Sequence, residues 1–393
     1  MQIKKDVIKR IPSVAARILM CLYLPLLIAV GSVRLAIPDR ITVTEEQINK
    51  ASVNIEGINA DTISAKAKLF GVLPVKNTTL DVVDEGMLVP GGNVFGVKFF
   101  TKGLMVIKLS DIETSDGRIS PARNAGIETG DVIQSINGRQ VNTAEEMTNV
   151  IEENKGNEIT VEYLRNGESF VTVMQPALSL TDKKYKTGIW VRDSTAGIGT
   201  MTYYNPSTSE FAGLGHGICD VDTGMLMPLR KGNVVDVEIT DIIKGRSGTP
   251  GELKGSFDTV RTGDVTQNTK HGVYGNINGF DTDAEALPIG LKDEVTTGKA
   301  HILCELDETG VRSYEIEIVK IKNRDKDGKN FVINVTDESL IEKTGGIVQG
   351  MSGSPIIQNG KLVGAVTHVL VNSPTKGYGI FIENMLKREE SIE

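Results

Sequence analysis

Residues 345–357 read GGIVQGMSGSPII, and this stretch places Ser352 between glycines in a tight turn. The turn leads into the β-branched pair Ile356 and Ile357, which favours a strand. Glycine adopts backbone angles that other residues avoid, so such a turn can expose one side chain and aim several amide N–H groups at one point. A serine nucleophile with an oxyanion hole needs both features. An ordinary Gly/Ser/Pro turn has the same composition, so the rest of the chain must decide between the two.

The composition is that of a folded protein rich in strands and turns. The chain has 393 residues, enough for two or three domains, with 39% hydrophobic and 24% charged residues. Its 42 glycines and its aromatic share of 5% suit many short strands. The formal net charge of −8 gives no indication of nucleic-acid binding. The three cysteines, Cys21, Cys219 and Cys304, are too few for a disulfide scaffold.

Residues 1–38 have the pattern of a basic cytoplasmic tail and a membrane anchor. Residues 18–33 read ILMCLYLPLLIAVGSV and carry no charge, and Arg17 and Arg34 bracket them. A span needs about 20 apolar residues, a length that the flanking positions complete if both arginines extend toward the headgroups. No strong small-x-small cleavage site follows, so a retained anchor is favoured over a removed signal peptide. The basic tail then stays in the cytoplasm and the body is exported.

Residues 89–178, which follow a β-rich stalk or linker at 39–88, contain the most specific short pattern. Residues 120–138 read SPARNAGIETGDVIQSING. A helix is predicted at 143–153 with a capping box at its start, followed by a hairpin around an Asn-Gly pair at 166–167. This combination resembles a PDZ domain of the bacterial protease type.

A PDZ domain adds an extended peptide to a sheet edge and holds its terminal carboxylate on backbone amides. The glycine-rich loop that begins at Gly91 would supply those amides here, and we expect them at Val94, Phe95 and Gly96. A groove that is only structural, or that the chain itself fills, is the alternative.

Residues 179–393 are predicted to form an all-β domain. Alternating or apolar runs predict strands at 197–203, 234–243, 299–306, 314–321, 331–335, 362–367 and 378–382. Only 337–343 and 384–393 have a helical pattern. Two six-stranded barrels fit a segment of this length. The predicted fold class is therefore mostly β: an all-β barrel or sandwich domain, preceded by a PDZ domain and an N-terminal transmembrane helix.

A serine nucleophile needs a base, and His216 is the best of the four histidines. Gly215 and Gly217 leave room around its ring, and it precedes Ser352 in the order of the trypsin-like template. By analogy with that template, the backbone amides of Gly350 and Ser352 would bind the oxyanion here. His368, at the end of the next strand, is a candidate for the wall of the substrate pocket.

The acid that would orient the histidine cannot be chosen from spacing, because triads are assembled in space. The candidates before the serine or after the histidine are Asp337, Glu342, Asp220, Asp222, Asp236 and Asp241. Metal chemistry is not indicated, since no second pair of ligands with regular spacing follows His216 and Cys219. We therefore predict no metal and no cofactor.

The chain resembles the stage IV sporulation protein B (SpoIVB) peptidase family of endospore-forming bacteria. The stretches that carry the resemblance are 69–92 (LFGVLPVKNTTLDVVDEGMLVPGG), 213–218 (GLGHGI), 345–369 (GGIVQGMSGSPIIQNGKLVGAVTHV) and 374–380 (PTKGYGI). By this resemblance the catalytic histidine, serine and acid fall on His216, Ser352 and Asp337. The choice of Asp337 rests on the resemblance alone.

The resemblance also implies a biological role. It implies a serine endopeptidase whose protease domain is a trypsin-like double β-barrel. The enzyme would be held in the forespore membrane, with its body in the space between the two spore membranes. There it would cut a membrane protein that restrains an intramembrane metalloprotease, which starts processing of the late mother-cell sigma factor. Self-cleavage near the N-terminus is a further implication. The alternative from another class is a catalytically inactive, membrane-anchored PDZ scaffold that binds sporulation membrane proteins.

Overall fold

The computed structural model describes residues 87–278, 284–322 and 328–387 and, before them, positions 32 and 34 and four strands. It divides into two compact units, residues 1–85 and 86–393. The first unit contains a four-stranded sheet with the order β1-β4-β3-β2, in which β1 and β4 run parallel. Its strands are β1 (Arg40–Thr44), β2 (Ile55–Asn59), β3 (Thr62–Leu69) and β4 (Leu73–Val83).

The second unit begins with a six-stranded barrel. Two long strands, β6 (Val94–Leu109) and β15 (Ile189–Asn205), pair with each other and close a ring. The order of strands around it is β6, β17 (Leu229–Ile243), β18 (Glu252–Thr269), β19 (Gly272–Ile277), β16 (Glu210–Gly213) and β15. Its interior is apolar, with the Phe95 and Phe211 rings packed edge to face. The other strands between residues 89 and 186 lie outside this ring: β5 (Val89–Pro90), β7 (Ile112–Thr114), β8 (Gly117–Ile119), β9 (Val132–Ile136), β10 (Arg139–Gln140), β11 (Ile159–Arg165), β12 (Glu168–Met174), β13 (Ala177–Leu178) and β14 (Tyr185–Lys186).

The PDZ body lies between β6 and β15 of this barrel. The first half of β6 pairs with β17 in the barrel, and its second half pairs with β9 in the PDZ sheet. The sheet continues through β11 and β12 and packs on two helices, α1 (Pro121–Asn124) and α2 (Ala144–Glu153). The structure therefore differs from the predicted division at 88/89 and 178/179: the first barrel strand precedes the PDZ body, which is inserted after it.

Local predictions within the PDZ body are confirmed. Thr143 caps α2: its side chain accepts from the Glu146 amide, and the Glu146 carboxylate accepts from the Thr143 amide. The hairpin of β11 and β12 turns at Asn166 and Gly167, which have φ values of 53° and 84°. These are the left-handed angles that a two-residue hairpin turn requires.

The remaining strands close a second barrel in the order β20-β21-β22-β25-β24-β23. Its core includes the Phe331 and Phe381 rings, which pack edge to face. Its elements are β20 (Gly298–Glu305), β21 (Val311–Ile321), β22 (Phe331–Val335), α3 (Glu338–Thr344), β23 (Pro355–Gln358), β24 (Lys361–Val369), β25 (Lys376–Phe381) and α4 (Ile382–Leu386). The prediction of two six-stranded barrels is confirmed.

The predicted anchor at 18–33 falls almost wholly outside the described residues. Among the helices that the structure does describe, none is both long and apolar enough to cross a bilayer.

Candidate active site

Ser352 lies in a tight turn that strand β15 holds from the other barrel. Thr200 donates its backbone N–H to the Ser352 carbonyl at 2.9 Å and its hydroxyl to the Gly350 carbonyl at 2.8 Å. The Thr202 hydroxyl donates to the Gly353 carbonyl at 2.8 Å. A side chain at Gly353 would place its Cβ 1.9 Å from the Thr200 carbonyl oxygen, and φ there is +99°. The glycine after the serine therefore lets the turn lie directly on β15.

Two amides of this turn, those of Gly350 and Ser352, donate no hydrogen bond within the described residues. The carbonyl that precedes each is occupied, since the Gln349 oxygen accepts from the Leu253 amide at 2.9 Å and the Met351 oxygen from the Ser354 amide at 3.0 Å. The C=O and N–H of one trans peptide unit point in opposite directions. The two N–H groups thus point away from these partners, and both residues line the cleft described below. Such a pair of donors can stabilise an oxyanion.

The Ser352 side chain donates its hydroxyl hydrogen to the Thr367 carbonyl at 2.7 Å. Thr367 lies in β24, next to His368. In this arrangement the hydroxyl is bonded to the backbone, and it must leave the Thr367 carbonyl before it can transfer its proton to a base.

His216 is placed by a sharp reversal at the end of β16. Leu214 and Gly215 both have left-handed backbone angles, with φ values of 68° and 67°. Leucine is disfavoured in this region by about 1 kcal/mol, which marks the reversal as strained. A Cβ at Gly215 would lie 3.0 Å from the Thr367 Cγ2. The reversal thus brings the histidine against the strand whose carbonyl accepts from Ser352.

The hydrogen bonding of His216 defines its tautomer. Its Nδ1 lies 2.9 Å from the Gly217 carbonyl oxygen. A carbonyl can only accept, so Nδ1 carries the hydrogen and Nε2 of the neutral ring is free to take a proton. Burial lowers the pKa of His216, although the bond to Gly217 acts in the opposite direction. The ring is therefore neutral near pH 7, the form that a general base requires.

One cleft of about 470 Å³ is lined by Ser352, Gly350, His216 and His368 together. The ring centroids of the two histidines lie 4.9 Å apart at an angle of 36°. The pKa of His368 is lowered by partial burial of its ring, then by His216 and by Lys329. The described lining of the cleft holds no Asp, Glu, Lys or Arg side chain. His368 lines this cleft, and its role in a substrate pocket stays a prediction.

The structure does not bring Asp337 to His216, which corrects the predicted triad. Asp337 is the N-cap of α3: its carboxylate accepts from the Leu340 amide at 3.0 Å and from the Ser339 hydroxyl at 2.5 Å. A third contact is the Glu315 amide at 3.4 Å. Its pKa is lowered by these hydrogen bonds, although desolvation opposes them as the largest single contribution. All these partners belong to the second barrel and none lines the cleft.

The other acidic candidates also lie outside the lining of the cleft. The nearest in sequence, Asp220, is 1% exposed and pairs with Arg192 at 2.7 Å. It also accepts from the amides of Asp222 and Thr223, so it folds the loop that follows the histidine. Among the described residues, the Gly217 carbonyl is the group that holds the His216 tautomer.

We expect Asp337→Ala to lower stability while leaving catalysis almost unchanged. Loss of an N-cap costs about 1 kcal/mol of unfolding free energy. Within the described part of the chain, none of the hydrogen-bond partners of Asp337 lines the cleft, so the rate of peptide cleavage should stay within about twofold of wild type. Urea unfolding and initial rates of the purified variant measure the two effects.

Glu338→Ala on the same helix is the matched control, because its side chain is exposed and caps nothing. If Asp337→Ala lowers activity by a factor of about a thousand and leaves stability unchanged, Asp337 is the acid of the triad, as the sequence predicted.

The predicted carboxylate-binding residues of the PDZ domain also require correction. Val94, Phe95 and Gly96 are buried positions of β6 and pair with β15 in the first barrel. The Val94 amide donates to the Glu305 carboxylate at 3.0 Å, and Gly96 pairs with β17 as well. Their backbone groups belong to a closed barrel and are not open to a peptide.

The open edge of the PDZ body lies instead at the start of β15. A groove of about 820 Å³ runs between this segment and α2, lined by Met147, Thr148, Ile151 and, on the strand side, Gly188 and Ile189. The Ser110 amide donates to the Gly188 carbonyl at 2.8 Å.

Hydrogen-bonded and non-hydrogen-bonded pairs alternate along antiparallel strands, so the pair Ile189 and Leu109 is of the second kind. Ile189 therefore directs its N–H and C=O away from β6. No described strand pairs with the first part of β15 on that side, residues 189–193. This edge can accept an added strand.

The sequence contains a signal for this edge that lies outside the predicted PDZ domain. Residues 186–191 read KTGIWV, a glycine followed by a short apolar run, and they come after the PDZ pattern in the chain. The sequence alone does not connect this signal to the PDZ body, because the connection depends on the pairing of the start of β15 with the second half of β6.

Fold and cleft define the class: two β-barrels with a serine and a histidine at their junction, and a PDZ body inserted in the first. The model of the SpoIVB peptidase S55 family matches residues 183–386, more than half of the chain, and that of the PDZ domain matches residues 103–171. The chain belongs to the SpoIVB peptidase S55 family and is a serine endopeptidase.

Individual proteins resemble parts of the chain. The zinc metalloprotease RasP of Shouchella clausii (strain KSM-K16) is 39% identical over 66 residues, 17% of this chain and 16% of RasP, so the chain spans a small part of that relative. The structure of Deg5 has a TM-score of 0.30 at 12% identity and covers 49% of this chain and 81% of its own. The PDZ domain of the SdrC-like protein Lmo2051 from Listeria monocytogenes has a TM-score of 0.19 at 18% identity, covering 23% of this chain and 87% of its own.

Proposed function

We propose that Ser352 is the nucleophile of this endopeptidase and His216 its general base, with the amides of Gly350 and Ser352 as the oxyanion hole. The observation that carries the proposal is the meeting of all four groups in one uncharged cleft. Both amides lack an acceptor within the described residues, as donors reserved for a substrate would.

The reaction follows from this geometry. Substrate binding moves the Ser352 hydroxyl from the Thr367 carbonyl toward His216. Oγ attacks the peptide carbonyl while Nε2 of His216 takes its proton, and the negative oxygen is held by the two amides. The imidazolium then gives the proton to the leaving amine, and water hydrolyses the acyl-enzyme by the same steps. Gly217 keeps the ring in the tautomer that this sequence requires.

We propose that the cleavage serves sporulation. The enzyme would be anchored in the forespore membrane by residues 18–33 and act in the space between the two spore membranes. Its substrate would be the exposed part of a membrane protein that restrains an intramembrane metalloprotease, so that cleavage starts processing of the late mother-cell sigma factor. Membership of the SpoIVB peptidase family supports this role. A chromosomal Ser352→Ala allele should block that processing in the sporulating host, and normal processing would contradict it.

The bond from the Ser352 hydroxyl to the Thr367 carbonyl favours one rival, a scaffold that only binds its partners. A fluorophosphonate probe separates the two functions, because it phosphonylates only a serine that is activated by a base. The proposed enzyme is labelled at Ser352, and a scaffold is not labelled.

The groove between α2 and β15 is proposed to bind an extended peptide by strand addition. Thr148 is exposed and lines this groove, so Thr148→Trp should fill it without disturbing the core. We expect at least about tenfold weaker binding of peptides selected from a library on the wild-type protein, because the added strand loses its place. Fluorescence anisotropy measures the change.

Asn149→Trp is the matched control, since the neighbouring residue is exposed on the same helix but does not line the groove. Equal binding by both variants would place the peptide elsewhere.

A further inference from the structure

Thr200 is joined to each part of the candidate active site by a separate hydrogen bond. Its hydroxyl donates to the Gly350 carbonyl at 2.8 Å, and its amide donates to the Ser352 carbonyl at 2.9 Å. Its own carbonyl accepts from the Leu214 amide at 3.2 Å, at the reversal that leads to His216. One residue of the first barrel thus contacts the oxyanion turn, the nucleophile and the histidine loop.

The burial of Thr200 and the choice of threonine over valine indicate that its hydroxyl has a function. Thr200 is 0% exposed, and a buried hydroxyl is costly unless it is hydrogen-bonded. Valine has nearly the same shape, favours a strand equally well and would carry no polar atom. The bond to the Gly350 carbonyl offsets the cost of burying the Thr200 hydroxyl. The amide of the same glycine has no acceptor within the described residues.

We infer that Thr200 is a positioning residue that sets the oxyanion hole through the Gly350 carbonyl. The peptide unit that joins Gly350 to Met351 is held at both ends, by the Thr200 hydroxyl at its oxygen and by the Val348 carbonyl at its N–H, 3.2 Å away. Gly350 has φ +98° and no side chain to restrain it. This unit lies between the two peptide units that carry the Gly350 and Ser352 N–H groups. Without the hydroxyl it can rotate about Gly350 and change the angle between these two N–H groups, so that they no longer point at one oxyanion.

The test uses the full-length chain and a biotinylated fluorophosphonate, and it rests on the proposed function of Ser352. In Thr200→Val the maximal labelling rate (kinact) should fall about tenfold or more, because a buried acceptor loses its donor, while the half-saturating probe concentration stays within about twofold. Thr200→Ser keeps the hydroxyl and should label within about threefold of wild type. A purely structural role would change thermal stability in both variants alike without this rescue.

Thr266→Val is the control, since that hydroxyl donates to the Tyr274 carbonyl at 3.3 Å in the same sheet, far along β18 from the turn. If Thr200→Val does not fold, Thr200→Ala carries the same comparison with Thr200→Ser. Labelling of the valine variant, or of a folded alanine variant, at the wild-type rate overturns the inference while leaving the proposed function intact. A wild-type protein that is not labelled overturns the proposed function itself.

Discussion

Ser352→Ala is expected to lower peptide cleavage by a factor on the order of 10⁴ or more, because the other serine of the turn, Ser354, is fully buried and cannot reach a substrate to form the acyl-enzyme. The variant should fold normally. The change removes one hydrogen bond, to the Thr367 carbonyl, which contributes about 1 kcal/mol. Labelling by a fluorophosphonate and cleavage of a protein substrate measure activity, and thermal unfolding measures stability.

Ser354→Ala is the matched control two residues away. The Ser354 side chain is fully buried, and its hydroxyl has no hydrogen-bond partner within the described residues. Its removal should leave activity within about twofold of wild type, since only the backbone of Ser354 takes part in the turn. Loss of labelling in Ser354→Ala, with labelling retained in Ser352→Ala, would identify Ser354 as the nucleophile.

The two barrels could be predicted because most of their strands have a local signature. The run at 314–321 largely alternates apolar and polar residues, the run at 331–335 is almost wholly apolar, and the structure places them in β21 and β22. In contrast, β18 was not predicted: its 18 residues include charges and glycines throughout, and its burial is clear only in its last third. That strand is defined by its neighbours β17 and β19, which a local pattern does not contain.

The insertion of the PDZ body could not be predicted for a related reason. β6 is one unbroken strand of 16 residues, but its two halves belong to different bodies. The barrel pairing ends at Thr101 and the PDZ pairing begins at Leu104, with Gly103 between them at φ +79°, but a single glycine inside a strand indicates a bulge and gives no sign of a second body. The glycine loop before β6 therefore suggested a carboxylate site at Val94–Gly96, while the open edge lies almost a hundred residues later at Ile189.

The histidine and the serine were identifiable because glycines next to them alter the backbone, and glycines are visible in a sequence. The partner of His216 was not. The group that holds its tautomer is the backbone carbonyl of Gly217, and every residue has a carbonyl. The acidic residue chosen by resemblance, Asp337, is the N-cap of α3. Its position as the first residue of the predicted helix at 337–343 indicates this role equally well.

His216→Gln is expected to lower kcat/KM by a factor on the order of 10³ to 10⁴, because glutamine cannot take the proton from Ser352. Glutamine is close in size and keeps a polar group near the Gly217 carbonyl, so the loss should appear with little change in unfolding temperature. His301→Gln is the control: this histidine is exposed on β20 and lies outside the lining of the cleft. Comparable losses in both variants would indicate a general effect of removing a histidine.

The pH dependence of the wild-type enzyme tests the same residue independently. Burial lowers the pKa of His216 below its ordinary value of 6.5, so the neutral base persists to more acidic pH. The acidic limb of kcat/KM should therefore lie below pH 6.5, with activity falling as the pH drops through the lowered pKa. A paired carboxylate would have the opposite effect, since it stabilises the imidazolium and raises the pKa. A limb well above pH 6.5 would thus mean that an acid does reach His216 when substrate is bound.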